Sequence, residues 1–82
     1  SNAPAVRFIA KGLKTHRARL GLSAGDFGRL VGVTAQSVYN WEQQTSRPRA
    51  EQVARIASLR KMGKREVMRI LEQMASAQEG ET

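Results

Sequence analysis

The sequence predicts an all-α domain, five short helices packed as a bundle around one core. Apolar residues recur at three- and four-residue intervals, and no segment alternates apolar and polar residues for long enough to read as a strand. Helix-capping residues and glycines punctuate the chain at spacings suited to short helices. The chain has 82 residues and no cysteine, so it is one small domain without disulfide or cysteine-metal staples. A compact helical core or a partner must therefore hold the fold.

Ser1, Asn2 and Ala3 read as the scar of tag removal, and no initiator methionine follows, so the natural chain is expected to begin upstream. Residues 1–9 are a tag scar and leading segment, 10–75 the domain, and 76–82 a frayed polar tail. The first helix is expected over about 10–20, with Leu13, Arg17 and Leu20 on one face and Gly21 as its stop. Ser23 then offers an N-cap, with Asp26 three residues on in a variant of the capping box. The second helix, about 24–31, buries Phe27, Leu30 and Val31 and ends at Gly32. Thr34 caps the third, which runs to about Gln43. Ser46, Arg47 and Pro48 form a connector. The fourth helix, about 50–61, buries Val53, Ile56, Ala57 and Leu59 and stops before Gly63; the fifth, about 64–75, carries Val67, Ile70, Leu71 and Met74.

Fourteen Lys and Arg against seven Asp and Glu give a net charge of +7, which suits a polyanionic partner. Arg7, Lys11, Lys14, Arg17 and Arg19 come with no acid among them, while Glu79 and Glu81 sit in the tail. A solvated surface that only keeps the domain soluble is the plain alternative.

The second and third helices form the informative pair. Only a few residues join them, and Gly28 and Gly32 are small where two helices cross and the chain turns, the spacing of a helix-turn-helix unit. On the third helix Val38 and Trp41 point to the core. Gln36, Asn40 and Gln43 lie on nearly the opposite side, flanked by Ala35 and Tyr39. That face carries no charge on a highly charged protein. A merely solvated face attracts Lys and Glu, whereas Gln and Asn suit base edges, such as adenine N6 and N7.

Arg17-Ala18-Arg19-Leu20-Gly21-Leu22-Ser23, then Phe27-Gly28-Arg29-Leu30-Val31-Gly32-Val33-Thr34, then Gln36-Ser37-Val38-Tyr39-Asn40-Trp41-Glu42, then Arg47-Pro48 follow in one order. This succession resembles the Cro and lambda-repressor-like family, helix-turn-helix domains of the xenobiotic-response-element type, over about residues 10–72. The resemblance implies a five-helix DNA-binding domain of the kind found in bacterial and phage transcription regulators or antitoxins. It implies base contacts from Ala35, Gln36, Tyr39 and Asn40, and phosphate contacts from Ser37, Gln43, Thr45 and Arg47. It also implies a structural ion pair of Glu42 with Arg17. The family's phosphate-bonding Gln at the start of the second helix is Ala24 here, and its loop glycine after the third is Gln44 or Thr45.

No catalytic or metal site and no cofactor is expected. There is no cysteine nucleophile, no triad around His16, and no phosphate-cradling glycine loop followed by Lys-Ser or Lys-Thr. His16, the sole histidine, reads as a partly exposed helix residue, since a metal site needs several ligands. The three methionines read as core filler and fifth-helix surface. No apolar run is long enough for a membrane span and no signal peptide opens the chain, so a cytoplasmic, nucleoid-associated protein is expected. The partner is expected to be double-stranded DNA. One such domain makes few base contacts, and the resemblance implies pairing on two half-sites. The chain is expected to be monomeric or weakly dimeric in dilute solution and to bind a palindromic site, as a homodimer, more tightly than one half-site. Met68, Ile70 and Met74 or Val6, Phe8 and Ile9 are the candidate pairing surfaces, although both sets could pack on the domain's own core. The alternative is a protein-interaction module, antitoxin-like, whose helix-turn-helix unit is structural. RNA binding fits less well, because aromatic platforms are limited to Phe8, Phe27, Tyr39 and Trp41, two of them assigned to the core.

Overall fold

The computed structural model describes residues 10–80, with side chains described to residue 77. Among them are five helices and no strand: α1 (Ala10–Leu20), α2 (Ala24–Val31), α3 (Ala35–Glu42), α4 (Ala50–Arg60) and α5 (Lys64–Gly80). The helices expected from capping and periodicity are the helices that form.

Each short helix is closed by local chemistry. At the end of α1 the amide of Leu22 donates to the carbonyl of Arg17 and that of Gly21 to Ala18, the paired bonds of a Schellman motif. Ser23 Oγ accepts from the amide of Asp26 and starts α2. Gly32, at φ +89°, ends α2, and the amides of Gly32 and Val33 both donate to the carbonyl of Gly28. A side chain at Gly32 would be strained by that φ and would meet the Arg55 guanidinium, which donates from 2.9 Å to the carbonyl of Val31. Arg55 thus caps α2 from α4. At the start of α4, Gln52 Oε1 accepts from the amide of Arg49 at 2.7 Å.

The core is assembled from all five helices: Leu13 and Leu20 of α1, Phe27 and Val31 of α2, Val38 and Trp41 of α3, Ile56 and Leu59 of α4, Val67 and Leu71 of α5, with Leu22 between helices. Burying a side chain the size of Phe27 contributes about 1.5–3 kcal/mol. Leu30, Val53 and Ala57, expected to be buried, are only half-buried, Leu30 packing against this cluster, and Ile70 and Met74 are half-buried as well. Met68 is exposed. Val6, Phe8 and Ile9 lie outside the described residues.

Two further expectations are corrected. Helix α5 does not stop at Ala75 but continues to Gly80, through most of the expected polar tail. Nothing between those residues breaks a helix; Ala and Gln sustain one. His16 is buried rather than partly exposed, with only 4% of its surface accessible. It sits between Leu13 and Leu20 on the inward stripe, while Arg17 lies at the margin. Its ring meets Phe27 edge-on, at 6.1 Å between centroids. Neither ring nitrogen has a hydrogen-bond partner.

Burial therefore holds the His16 pKa below 6.5, and the Arg19 and Arg60 cations push it the same way. The Leu59 carbonyl, near the ring but outside hydrogen-bond geometry, offsets a part. Because the folded pKa lies below the unfolded one, the stability is whole above pH 6.5 and declines as acid protonates the unfolded chain first. Urea unfolding followed from about pH 7.5 down to about pH 5.5 should show stability falling once the pH passes below 6.5, by at most about 1.4 kcal/mol per pH unit. His16→Leu should remove that slope. A wild-type chain with equal stability at both ends of the window would contradict the buried neutral ring.

Candidate nucleic-acid interface

The sequence from Phe27 to Glu42 builds a helix, a tight turn and a second helix. The crossing is close: a Cβ on Gly28 would lie 2.5 Å from the carbonyl oxygen of Val33 and 3.2 Å from the backbone of Thr34. Not even the methyl group of Ala fits there without parting α2 from the turn. Thr34 then caps α3, its Oγ1 accepting from the amide of Ser37 at 3.2 Å.

Val38 and Trp41, both buried, fix the rotation of α3 about its own axis. Trp41 is a core residue. The opposite side presents Gln36, Tyr39, Asn40 and Gln43. Tyr39 is 45% exposed, Gln36 and Gln43 are exposed, and Asn40 is half-buried. Gln36 Nε2 donates to Asn40 Oδ1 at 3.0 Å, so the two amides already stand side by side one helical turn apart. Ala35 is not fully on this face: it is half-buried and packs against the core. Ser37 lies beside the cap, its hydroxyl 3.3 Å from that of Thr34.

The end of α3 answers which residue replaces a loop glycine. Gln44 stands at φ +64°, in the left-handed region. The amide of Thr45 donates to the carbonyl of Asn40 and that of Gln44 to Trp41, again a Schellman closure. Thr45 Oγ1 also donates to the Asn40 carbonyl, which commits its hydroxyl hydrogen to the cap. Arg47 is exposed, and no protein partner engages it among the described residues. Ala24, where the resemblance implies a phosphate-bonding Gln, is buried in the core and offers no donor.

One acid lies on α3. Glu42 accepts from Arg17 Nε at 2.7 Å and from a second Arg17 nitrogen at 3.1 Å. The carboxylate is 7% exposed and the guanidinium side chain 18%. Arg17 donates in addition to the carbonyl of Leu22, so one side chain ties α1, the loop after it, and α3. The hydrogen bond to Glu42 raises the already high Arg17 pKa, so the pair stays charged.

A family described as helix-turn-helix domain matches residues 9–69. The chain belongs to the helix-turn-helix domain family. The match spans the whole of α1 through α4 and the start of α5, consistent with the Cro-like resemblance of the motifs. No curated protein and no solved structure gives a significant match to the chain. A helix-turn-helix domain is a DNA-binding architecture, and its second helix is the one that meets bases. No helix among the described residues is long and apolar enough to cross a membrane.

Sequence reasoning missed Arg55, which caps α2 from 24 residues away; nothing in its own neighbourhood announces that role. It also left open whether Gln44 or Thr45 takes the left-handed position, since either residue type is unfavourable there.

Two stability measurements check the scaffold of this helix-turn-helix unit. Arg17→Ala and Glu42→Ala should each cost about 1–3 kcal/mol, the penalty of stranding a largely buried charge. Arg17→Ala should cost more, because it also frees the Leu22 carbonyl. The double variant should cost less than the sum; strict additivity would mean the two side chains do not interact. Gln44→Gly should stabilise the domain by about 1 kcal/mol, seen as a rise of about 4–8 °C in melting temperature. A lower melting temperature would rule out the left-handed turn.

Proposed function

We propose that this domain binds double-stranded DNA sequence-specifically and regulates transcription, with α3 lying in the major groove. The observation that carries the reading is the uncharged amide face of α3, held at a fixed rotation by Val38 and Trp41 on a protein of net charge +7. The major groove admits one helix. There Gln36 and Asn40 would meet base edges, Tyr39 would flank them, and the Ala35 methyl would approach from the margin. Arg47, Gln43, Ser37 and the backbone at the start of α3 would hold phosphates. Thr45 contributes through the cap rather than by donating its hydroxyl.

The domain acts by binding alone, not as an enzyme, in the cytoplasm on the nucleoid. A single α3 reads few base pairs, so two copies on half-sites about 34 Å apart supply the specificity. The exposed Met68 and the half-buried Ile70 and Met74 of α5 are the described residues available for pairing.

Selection of bound duplexes from a random library, followed by titration of the chosen site, tests the reading. Gln36→Ala or Asn40→Ala should lose about 1–3 kcal/mol of discrimination while nonspecific binding survives. Arg47→Ala should weaken every sequence alike and reduce the log–log salt slope by about one. Unchanged affinity and unchanged selected sequence in both amide variants would remove α3 from the reading role.

A further inference from the structure

We infer that the cleft between α1 and the C-terminal end of α4 binds a small phosphate-bearing anion, at a site separate from the face of α3. The cleft has a volume of about 450 Å³ and is lined by Lys11, Gly12, Thr15, His16, Arg19 and Arg60. Three of those six residues are cations and none is an acid. Lys11, Arg19 and Arg60 have no acidic partner among the described residues.

The arrangement follows from helix geometry. Lys11, Thr15 and Arg19 recur at four-residue steps and form one stripe of α1. Arg17 lies about 200° round the helix from Arg19, at 3.6 residues per turn. It turns to α3, and Arg19 turns to the cleft. No residue of α2 or α3 lines it.

A solvated charged surface would account for the cations alone. It does not account for His16. That side chain is more than nine-tenths buried, lines the same cleft, and leaves both ring nitrogens without a partner. Burial of the ring, and then the Arg19 and Arg60 cations, disfavour any added proton. A phosphate in the cleft reverses this field: it would pair with Arg19 and Arg60 in charge-assisted bonds and stabilise a protonated ring beneath them. Thr15 Oγ1 already donates to the Lys11 carbonyl, so its hydroxyl is free only to accept. The anion is therefore held by the cations, with the ring as its floor. Arg60 is also the last residue of α4, where a cation is favoured by the helix dipole. That preference explains one cation of the three and leaves Lys11 and Arg19 facing it.

His16 is the only histidine, so its imidazole resonances report the site without ambiguity. The whole chain would be titrated with sodium pyrophosphate, and separately with inorganic phosphate, at an ionic strength fixed by sodium chloride. A saturable shift of the His16 signals is expected, with the ring titrating at higher pH when pyrophosphate is bound. Arg19→Gln and Arg60→Gln should each weaken binding about tenfold, the worth of one charge-assisted hydrogen bond. Both residues are exposed, so the variants should melt as the parent does. If Arg60→Gln does not fold, Lys11→Gln takes its place. Lys14→Gln, on another flank of α1, should leave the titration unchanged, as should Gln36→Ala on the α3 face.

Three results would overturn the proposal. One is the absence of a saturable shift at constant ionic strength. Another is an equal response in the parent and in both arginine variants. The third is a fall in duplex affinity and salt slope in Arg19→Gln and Arg60→Gln, which would make the cleft a contact for DNA backbone instead.

Discussion

An eight-residue helix has little stability of its own, because nucleation fixes several residues before the hydrogen bonds compensate. Helix α3 is that length, and the face proposed to read DNA lies on it. It is therefore held from outside on every side. Thr34 caps its first turn and Gln44 reverses the chain beyond its last. Val38 and Trp41 sink into the core, and Glu42 is clasped by Arg17 from α1. The close passage of Gly28 under Val33 and Thr34 sets where α3 starts relative to α2. Each contact constrains a different degree of freedom: the position of the start, the rotation about the axis, the end, and the distance to α1. A loosened α3 would still be a helix, but it would no longer present Gln36 and Asn40 in a fixed direction.

The same scaffold organises charge. An acid on the helix nearest a polyanion would be repelled, yet Glu42 is neutralised at 2.7 Å by a guanidinium that it keeps protonated. The ion pair is thus compatible with an anionic partner as well as with a stable fold. Partly buried pairs of this kind contribute less to net stability than their geometry suggests, since desolvation opposes the Coulomb gain. Their larger effect is on specificity of arrangement. Arg17 can satisfy Glu42 and the Leu22 carbonyl together only if α1, the loop and α3 are in one relative position.

Much of this was legible in the chain because the signals were local. Ser23 and Thr34 announce helix starts by their own side chains, and Gly21 and Gly32 announce ends by lacking one. The inward positions of Phe27, Val31, Val38 and Trp41 follow from helical spacing. Arg17 and Glu42 could be paired only through the family resemblance, since 25 residues separate them. What stayed hidden depended on the competition between residues. His16 looked polar and therefore exposed, but its place between Leu13 and Leu20 decided its fate. The left-handed turn fell to Gln44 because the length of α3 put the reversal there, against the residue's own preference. Arg55 finds Val31 only once α4 has packed.

The bond between Gln36 and Asn40 bears on how such a face could recognise bases. Two free amides would each lose rotamer entropy on binding, and each long side chain ordered costs about 0.5–1.5 kcal/mol. Here the unbound domain already holds the pair together, so part of that ordering precedes the encounter. The bond uses one N–H of Gln36 and one lone pair of Asn40. It leaves the Gln36 carbonyl oxygen to accept and both Asn40 amide hydrogens to donate. If the pair enters the groove intact, it offers a joined donor–acceptor edge spanning one helical turn instead of two independent probes. A change at either residue then disorders the other, and the two positions cannot contribute additively to discrimination. Preorganisation of this kind favours one narrow set of sites, at the expense of tolerance for neighbours that would need the amides turned apart.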